Sequence, residues 1–284
     1  MWTADGWKDY ELLDSGDGMR LERWGKYTLS RPDPVALWEP ASPALWKKAD
    51  AVYHRSASGG GKWDISSLPE KWVINYKDVR LIVKPMGFKH TGVFPEQAAN
   101  WDWAAELIRS AGRPIRVLNL FSYTGGATVS AAAAGAEVCH VDAAKGIVSH
   151  ARENAEVSGL GDAKIRWIVD DCRKFIEREI RRGKTYDAII MDPPSYGRGA
   201  NGEVWKLEED LYPFLLLTKK LLSDHPLFVL VNSYTAGLSP AAGMYAVSEA
   251  FKEYHPTVLS DEVGLPCTST GKVLPCGIAV RTQF

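Results

Sequence analysis

The sequence predicts an α/β protein in which helices cover a mostly parallel sheet, with a small β-rich domain in front of it. From residue 98 onward, short apolar runs alternate with longer helix-like segments, a pattern typical of parallel strands joined by crossover helices. One apolar run, residues 115–121, leads into Gly125-Gly126 and then into an alanine-rich segment. Most tryptophans, by contrast, fall within the first 103 residues. The two ends of the chain are therefore expected to form different domains.

Residues 1–90 are predicted to form the β-rich (α+β) domain. Its expected elements are strands at 10–14, 20–24, 26–30, 72–76 and 79–84, and a short helix within 34–51. A turn at Gly16-Asp17-Gly18 would join the first two strands. A tryptophan-rich β module can stack unpaired bases or fill the core of a small domain. The aromatic residues alternate with apolar rather than basic neighbours, which favours the core. A substrate-binding role stays a hypothesis.

Residues 91–284 are predicted to form the larger α/β domain, which opens with a linker and a helix at 98–111. Its strands are apolar enough to be covered on both faces. The expected strands are 115–121, 136–142, 165–170, 186–192 and 227–232, and the helices between and after them are 127–135, 144–158, 172–182, 207–222 and 241–254. A closing hairpin is expected from residues 273–275 and 277–282.

Composition narrows the classes of partner. The 284 residues contain 34 Lys+Arg and 35 Asp+Glu, so a globally basic nucleic-acid-binding surface is not expected. The four cysteines form no CxxC pair, which argues against a structural metal site. The first residues lack the basic and apolar parts of a signal peptide, and no apolar run approaches about 20 residues. We expect a cytoplasmic protein without a membrane segment.

The glycine turn after residues 115–121 predicts a cofactor crevice, because a parallel strand that feeds a helix through a tight turn builds one. Asp142 ends the next strand, where a carboxylate is placed to accept hydrogen bonds from ribose hydroxyls. The third glycine of a dinucleotide fingerprint and the lysine of a phosphate-binding loop are both missing. A nucleoside without phosphates fits better, and S-adenosylmethionine is the common one.

The segment Asp192-Pro193-Pro194-Ser195-Tyr196 predicts the reacting end of the crevice. Two prolines directly after a strand end its hydrogen bonding to neighbouring strands, because proline has no backbone N–H, and their rings fix the backbone. We expect their carbonyls to point outward. Asp192 and these carbonyls would hold an amine or ring nitrogen beside the transferable methyl group. Tyr196 would stack on a base. The candidate catalytic residues are Asp192, Pro193, Pro194 and Tyr196.

From about residue 94 to the C-terminus the chain resembles class I S-adenosylmethionine-dependent methyltransferases. Within them it is similar to the group that contains the 23S ribosomal RNA 5-methylcytosine and 7-methylguanine methyltransferases. The resemblance implies a Rossmann-like, seven-stranded, mostly parallel sheet with an antiparallel C-terminal hairpin. The matching segments are Gly92-Val-Phe-Pro-Glu-Gln97, Leu118-Asn-Leu-Phe-Ser-Tyr-Thr-Gly-Gly126, Val141-Asp142, Glu153-Asn154, Asp170-Asp171, Asp192-Pro-Pro-Ser-Tyr196 and Leu274-Pro-Cys-Gly-Ile278.

The same resemblance implies the cofactor-binding residues. Phe94 and Gln97 would close over the cofactor, the turn from Phe121 to Gly126 would line its methionine part, and Asp142 its ribose. Asp171 and Cys172 would lie by the adenine. The residues expected to bind S-adenosylmethionine are Phe94, Gln97, Asn119, Phe121, Tyr123, Thr124, Gly125, Gly126, Asp142, Ala143, Asp171, Cys172 and Asp192.

The sequence departs from the 5-methylcytosine branch at one position that matters for chemistry. That branch has a cysteine in the loop after the strand that ends at Asn232, and this chain has Thr235 at about that place. Activating a pyrimidine carbon needs a thiolate nucleophile, so direct transfer to nitrogen or oxygen is the better interpretation, and nitrogen is the expected acceptor. The expected substrate is an RNA base, in ribosomal RNA.

Two other functions remain open. The scaffold also suits a methyltransferase of a small molecule or a protein side chain, because the fold does not fix the substrate. A non-catalytic module that binds S-adenosylmethionine is the third possibility, against which the Asp192-Pro-Pro segment and the glycine turn count. Lys84, Lys89, His90 and Arg198 are expected to border the crevice and to face a substrate, whereas the basic stretch at residues 173–184 is expected to be a solvated helix face.

Overall fold

The computed structural model describes residues 1–56, 60–198 and 204–284, without the side chain of Arg198. The chain forms two compact units. The first unit comprises Met1–Ala99 and Val263–Cys276, and the second comprises Asn100–Glu262 and Gly277–Phe284. The first unit thus runs past residue 90, where the sequence places the boundary, and it includes a late segment of the chain that the sequence assigns to the second domain.

The first unit is rich in β structure. Its elements are β1 (Trp2–Thr3), β2 (Tyr10–Gly16), β3 (Met19–Trp24), β4 (Tyr27–Pro32), α1 (Pro43–Trp46), β5 (Ala51–Arg55), β6 (Gly61–Ile65), β7 (Trp72–Tyr76) and β8 (Val79–Val83). Strands β2 to β6 form one sheet in chain order, and β7 pairs with β8. The predicted turn between β2 and β3 is confirmed, with Asp17 and Gly18 both at positive φ, as tight hairpin turns require.

The late segment belongs to the first unit because its backbone is bonded there. Val263 and Gly264 pair in parallel with Trp2 and Thr3 of β1. Thr268 N–H donates to the Leu12 carbonyl at 2.9 Å. These contacts join residues far apart in the chain, so the local sequence pattern does not reveal them.

The core of the first unit combines aromatic side chains with a buried charge cluster. Trp24 is fully buried, and its ring lies 4.6 Å from that of Tyr10. Glu22 is also fully buried, and its carboxylate accepts hydrogen bonds from Arg31 (2.5 and 2.9 Å) and from the Tyr10 hydroxyl (2.8 Å). Core filling by tryptophan is therefore confirmed for Trp24, whereas the buried ion cluster was not predicted.

The second unit alternates helices and strands as predicted. The elements that lie wholly or mostly in it are α2 (Ala98–Ser110), β9 (Arg116–Leu120), α3 (Gly126–Ala133), β10 (Glu137–Asp142), α4 (Lys145–Val157), β11 (Ile165–Val169), α5 (Cys172–Arg181), β12 (Ala188–Met191), β13 (Tyr196–Arg198), β14 (Val204–Lys206), α6 (Leu207–Lys219), β15 (Phe228–Ser233), α7 (Pro240–Phe251), β16 (Thr257–Pro266) and β17 (Val273–Gln283).

The sheet order in this unit is β16-β17-β15-β12-β9-β10-β11. Strand β9 is central and pairs in parallel with β10 and β12, while β17 is antiparallel to β15. The Rossmann-like fold class is thus confirmed. Because the strands are parallel, the carboxyl ends of β9, β10 and β12 meet at one edge, where ligands bind in such sheets.

Two strand predictions need correction. Residues 273–275 and 277–282 do not form the predicted closing hairpin, because both belong to the single strand β17. In the sheet, β17 lies next to β16. Pro275 lies before Ile278, where the pairing of β17 with β15 begins, so the proline removes no hydrogen bond to β15. The β13–β14 hairpin was also not predicted. No helix in the described part of the chain is long and apolar enough to cross a membrane.

Candidate functional site

The turn after β9 has an unusual backbone. Phe121 and Tyr123 adopt positive φ angles of 54° and 49°, and Gly125 follows at 82°. Between them, Ser122 Oγ donates to the Asn119 carbonyl at 2.6 Å and accepts the Val141 N–H at 3.1 Å. Non-glycine residues in the left-handed region concentrate at functional sites, where the surrounding structure holds them in place. The strained turn therefore marks this edge of the sheet as a binding site.

Both glycines of the turn are required by close packing. A Cβ on Gly126 would lie 2.5 Å from the Trp101 ring, and one on Gly125 would lie 2.9 Å from the Ala151 Cβ. Gly125 also caps α3 in the left-handed conformation, which glycine adopts without penalty. α3 therefore begins directly at the turn.

Asp142 lies directly beside this turn. Its Oδ2 accepts the Tyr123 N–H at 3.0 Å, and its Oδ1 accepts the Ala144 N–H at 2.9 Å. Burial raises the pKa of this carboxyl, and the two backbone N–H groups oppose the rise. A carboxylate offers about four acceptor positions, so Asp142 retains capacity for hydroxyl donors. The following residue, Ala143, is exposed at the same edge.

Asn119 lies beneath the turn rather than facing its open side. Its side chain is buried, and Nδ2 donates to Thr128 Oγ1 at 2.9 Å. Thr128 Oγ1 in turn lies 2.9 Å from His140 Nδ1. Burial lowers the pKa of His140 to about 3, so the imidazole is neutral in this network. The structure thus gives Asn119 a supporting contact to α3, whereas the sequence predicted direct contact with the cofactor.

Asp171 and Cys172 begin α5, at the carboxyl end of β11. Asp171 Oδ1 accepts the Lys174 N–H at 2.9 Å and caps the helix. The Cys172 sulfur accepts the Phe121 N–H at 3.4 Å, which links α5 to the glycine turn. Both residues therefore lie at the edge of the sheet where the sequence predicted the adenine.

The Asp192-Pro-Pro segment leaves β12 at the same edge. Asp192 is half-buried, Pro193 is buried and Pro194 is exposed. The Pro194 carbonyl accepts the Trp205 indole N–H at 2.6 Å. A side chain of the unpredicted β13–β14 hairpin thus takes one of the two acceptor positions of the Pro194 carbonyl.

An aromatic cluster, made of Phe121, Trp205 and Phe214, connects the glycine turn to this hairpin. The Trp205 ring centroid lies 5.4 Å from that of Phe121 and 5.4 Å from that of Phe214. Sequence reasoning missed Trp205, since its partner Phe121 is far away in the chain and no periodic pattern connects the two. The two halves of the candidate site are thus in direct contact.

A pocket of about 870 Å³ opens beside the Asp192-Pro-Pro segment. The loops after β12 and β15 line it, and they are joined by a 2.7 Å hydrogen bond from Thr235 Oγ1 to Ser195 Oγ. Tyr196 and Tyr234 supply aromatic faces to the wall, and Tyr196 is 53% exposed. The volume of the pocket is sufficient for a planar ring, and its lining includes two aromatic side chains.

Buried polar contacts support the β15 side of this pocket. Asn232, near the end of β15, accepts the Asn100 amide at 3.0 Å. Arg281 donates to Asn100 Oδ1 at 3.0 and 2.9 Å, and its guanidinium lies over the Trp103 ring. Burial lowers the pKa of Arg281 to about 10, which leaves the group charged at neutral pH. The start of α2 and the end of β17 therefore position the loop that carries Thr235.

The cysteines are not arranged as nucleophiles or metal ligands. All four are free thiols. Burial raises the pKa of Cys139 to about 11, and it raises the pKa of Cys172 as well. Both are therefore thiols rather than thiolates at neutral pH. Across the described residues, no group of three or more His, Cys, Asp or Glu side chains is placed to hold a metal ion.

Phe94 and Gln97 belong to the first unit, whereas the other predicted site residues belong to the second. They flank the short helix Pro95–Gln97, in which Gln97 N–H donates to the Phe94 carbonyl at 3.1 Å. The Phe94 ring lies 5.7 Å from that of His90, and Gln97 is buried.

Comparison with known proteins identifies the family. A family model for S-adenosylmethionine-dependent methyltransferases matches residues 40–226. The chain belongs to this family. A crystal structure of the methyltransferase from Agrobacterium tumefaciens is 39% identical with a TM-score of 0.94, covering 99% of this chain and 92% of that one. The structure of SMU.776 complexed with SAH is 22% identical with a TM-score of 0.77 over 98% of this chain and 76% of that one, and it supports the fold.

Curated relatives of this methyltransferase carry a more specific name. Ribosomal RNA large subunit methyltransferase I of Klebsiella pneumoniae (strain ATCC 700721 / MGH 78578) is 42% identical over 221 residues, which are 69% of this chain and 53% of that protein. The protein of the same name from Cronobacter sakazakii is 27% identical over 219 residues, 69% and 54% of the two chains. The methyltransferase spans about half the length of these curated relatives.

The site residues fit the cofactor that the family uses. Asp142 has acceptor capacity for a diol, and it lies beside the strained turn at the carboxyl edge of the sheet. The methyltransferase therefore uses S-adenosylmethionine.

Proposed function

We propose that this methyltransferase transfers the methyl group to a nitrogen of an RNA base, in the RNA of the large ribosomal subunit. The observation that carries the proposal is the pocket that follows the Asp192-Pro-Pro segment, because its lining includes two tyrosines that suit a flat ring and the hydroxyls of Ser195 and Thr235, with no thiol among the lining residues. The name of the curated relatives supports the choice of RNA. Bases that undergo chemistry leave the stack and enter pockets of this kind.

We propose the same cofactor-binding residues at the carboxyl edge of the sheet. Asp142 accepts the ribose hydroxyls, the backbone from Phe121 to Gly126 holds the methionine part, and Asp171 with Cys172 borders the adenine. These assignments are supported by the spare acceptors of Asp142 and by the strained turn that the surrounding hydrogen bonds hold.

Transfer to nitrogen is favoured by the side chains around the acceptor pocket. Carbon methylation of a pyrimidine needs a thiolate to add to the ring. The described wall of the pocket contains Ser195 and Thr235 but no cysteine, and burial keeps the pKa of Cys172 above its ordinary value. An alcohol remains protonated at neutral pH and does not replace a thiolate. Direct displacement is the chemistry that these residues support.

In the proposed reaction the bound cofactor supplies an activated methyl group. Tyr196 stacks on the base and holds its plane, and the Ser195–Thr235 pair fixes the two loops around it. The Asp192 carboxylate accepts an N–H of the base, which turns the nitrogen lone pair toward the methyl carbon. As the nitrogen–carbon bond forms, the bond between the methyl carbon and the donor sulfur would break and its electron pair would stay on sulfur. A proton that leaves the nitrogen would pass to Asp192 or to solvent.

Nucleoside mass spectrometry of ribosomal RNA tests the proposal. RNA from a strain that lacks the protein should lose one methylated nucleoside, which should return with the wild-type protein but not with Asp192→Asn. If no methylated nucleoside disappears, ribosomal RNA is not the acceptor, and a small molecule or protein side chain takes its place. Loss of 5-methylcytosine would contradict transfer to nitrogen while leaving RNA as the substrate.

A further inference from the structure

A glycine in β17 leaves room for one of the tyrosines that line the acceptor pocket. Gly277 directly precedes Ile278, where the pairing of β17 with β15 begins. Its φ angle lies outside the left-handed region, so that conformation does not account for the glycine. A Cβ on Gly277 would lie 2.8 Å from Cδ1 and 2.9 Å from Cε1 of Tyr234. Because non-bonded carbons prefer about 3.5–4.0 Å, the tyrosine ring occupies the space that a side chain would need.

The backbone beside Gly277 is less free to move than the ring. The third close contact of the added carbon would be the Ser233 carbonyl oxygen, at 3.0 Å. Ser233 is buried and pairs with Ile278 at the end of the β15–β17 ladder. Tyr234 follows the last residue of β15 and is half-buried. A side chain at position 277 would therefore displace the Tyr234 ring before it displaced the paired strands.

Tyr234 belongs to the wall of the acceptor pocket, together with Tyr196. The next residue, Thr235, donates its hydroxyl hydrogen bond to Ser195 Oγ and so ties the loop after β15 to the loop after β12. The backbone of the Tyr234 loop is thus held on one side by this bond and on the other by the β15–β17 pairing. The position of the ring itself depends on the space that Gly277 leaves.

We propose that Gly277 is a positioning residue, which acts by letting the Tyr234 ring lie where it contacts the flat face of the acceptor base. The inference rests on the proposed function, since it assigns to the same base a second aromatic contact besides Tyr196. Stacking on an aromatic ring holds a base whatever its sequence. A displaced ring would therefore weaken the binding of RNA and leave the binding of S-adenosylmethionine unchanged.

Steady-state kinetics of the full chain test the inference, with large-subunit RNA from a strain that lacks the protein as the acceptor. Gly277→Ala should raise the KM for RNA about fivefold or more, as loss of a stacking contact does. Tyr234→Ala should raise it by a similar factor, whereas Tyr234→Phe keeps the ring and should retain the wild-type KM. The KM for S-adenosylmethionine should not change in any of these variants, which a general loss of structure would not achieve.

A double-mutant cycle shows whether Gly277 acts through the ring. In a Tyr234→Ala background, Gly277→Ala should raise the KM for RNA no further, because the ring that it would displace is gone. Gly243→Ala is the matched control. Its added carbon would meet Val280 and Ile278 of the same strand at 3.1 and 3.3 Å, and nothing else within 4 Å, so its kinetics should equal those of the wild type.

The outcomes separate this inference from the proposed function. A wild-type KM for RNA in Gly277→Ala or in Tyr234→Ala would overturn the inference and leave the RNA acceptor standing, and so would additive effects in the cycle. If Gly277→Ala does not fold, recovery of folding in the double variant supports the contact with the ring, whereas continued failure to fold overturns it. If the wild type methylates no ribosomal RNA, the RNA acceptor and this inference fail together.

Discussion

The Asp142 carboxylate satisfies two backbone N–H groups and is proposed to accept the ribose hydroxyls as well. Asp142→Asn replaces one acceptor oxygen with an NH2 group that faces an N–H donor. We expect affinity for S-adenosylmethionine to fall about 10- to 100-fold, as for loss of charge-assisted hydrogen bonds. Isothermal titration calorimetry measures the change, and Asp162→Asn at an exposed position is the control. Equal affinities of the wild type and Asp142→Asn would contradict the ribose assignment.

Gly126 is expected to tolerate no side chain. The added methyl of Gly126→Ala would meet the Trp101 ring at 2.5 Å, and overpacking of this kind costs about 1–3 kcal/mol. Gly146→Ala is a matched control in α4, where nothing lies within 4 Å of the added carbon, so its effect on stability should be small or favourable. Denaturant unfolding of both variants measures the contrast. A Gly126→Ala protein as stable as the control would mean that Trp101 moves freely.

Thr235 should be dispensable for the chemistry. Its hydroxyl donates to Ser195, and Thr235→Val would remove a bond worth about 1 kcal/mol without removing a reacting group. We expect the rate of methyl transfer to ribosomal RNA to stay within about fivefold of the wild type. Single-turnover assays with labelled cofactor measure it. Complete loss of transfer would instead reveal Thr235 as a general base or nucleophile.

At the scale of elements, the β13–β14 hairpin positions the acceptor pocket through Trp205. Trp205→Ala removes both the ring contacts with Phe121 and Phe214 and the hydrogen bond to the Pro194 carbonyl. Misplacement of about 1 Å can slow a reaction by about 100-fold, so we expect kcat to fall and the KM for RNA to rise. Trp205→Phe keeps the ring packing and should be intermediate. Equal kinetics of the wild type and Trp205→Ala would rule out this positioning role.

The sequence predicts elements better than it predicts their side-chain contacts. The helices, the glycine turn and the carboxylates at strand ends were predictable, because alternation and strand ends determine which edge Asp142 and Asp192 occupy. The contact of Trp205 with Phe121 depends on tertiary folding between distant positions. The side chain of Asn119 bonds to Thr128 beneath the turn, a direction that strand periodicity alone does not give.

At the scale of the whole molecule, each unit is built from two segments that are far apart in the sequence. The first unit includes Val263–Cys276, and the second includes Gly277–Phe284. β17 runs from Val273 to Gln283 and therefore contributes residues to both units. Removal of residues 263–284 should consequently destabilise both units, because it takes the partner of β1 from one and the partner of β15 from the other.

The buried charge cluster of the first unit makes its stability depend on pH. Burial alone would raise the pKa of Glu22, but Arg20 and Arg31 outweigh it and lower that pKa to about 2. Because the folded-state pKa lies below the unfolded value, the stabilisation is complete above about pH 4.5 and is lost as pH falls toward 2. This stabilisation amounts to about 3 kcal/mol, which follows from the difference between the pKa of Glu22 in the unfolded and the folded state.

Glu22→Gln should remove this dependence of stability on pH. The variant leaves two buried guanidinium groups with a neutral partner, so at pH 7 it should be less stable than the wild type by about 3–5 kcal/mol. The difference should narrow between about pH 4.5 and pH 2, where the wild type protonates Glu22. Urea unfolding followed by tryptophan fluorescence at several pH values measures the free energy of unfolding of the wild type and of Glu22→Gln. Glu70→Gln is the control, because Glu70 is exposed. A constant difference between the wild type and Glu22→Gln across this range would show that Glu22 is not the group whose protonation weakens the first unit.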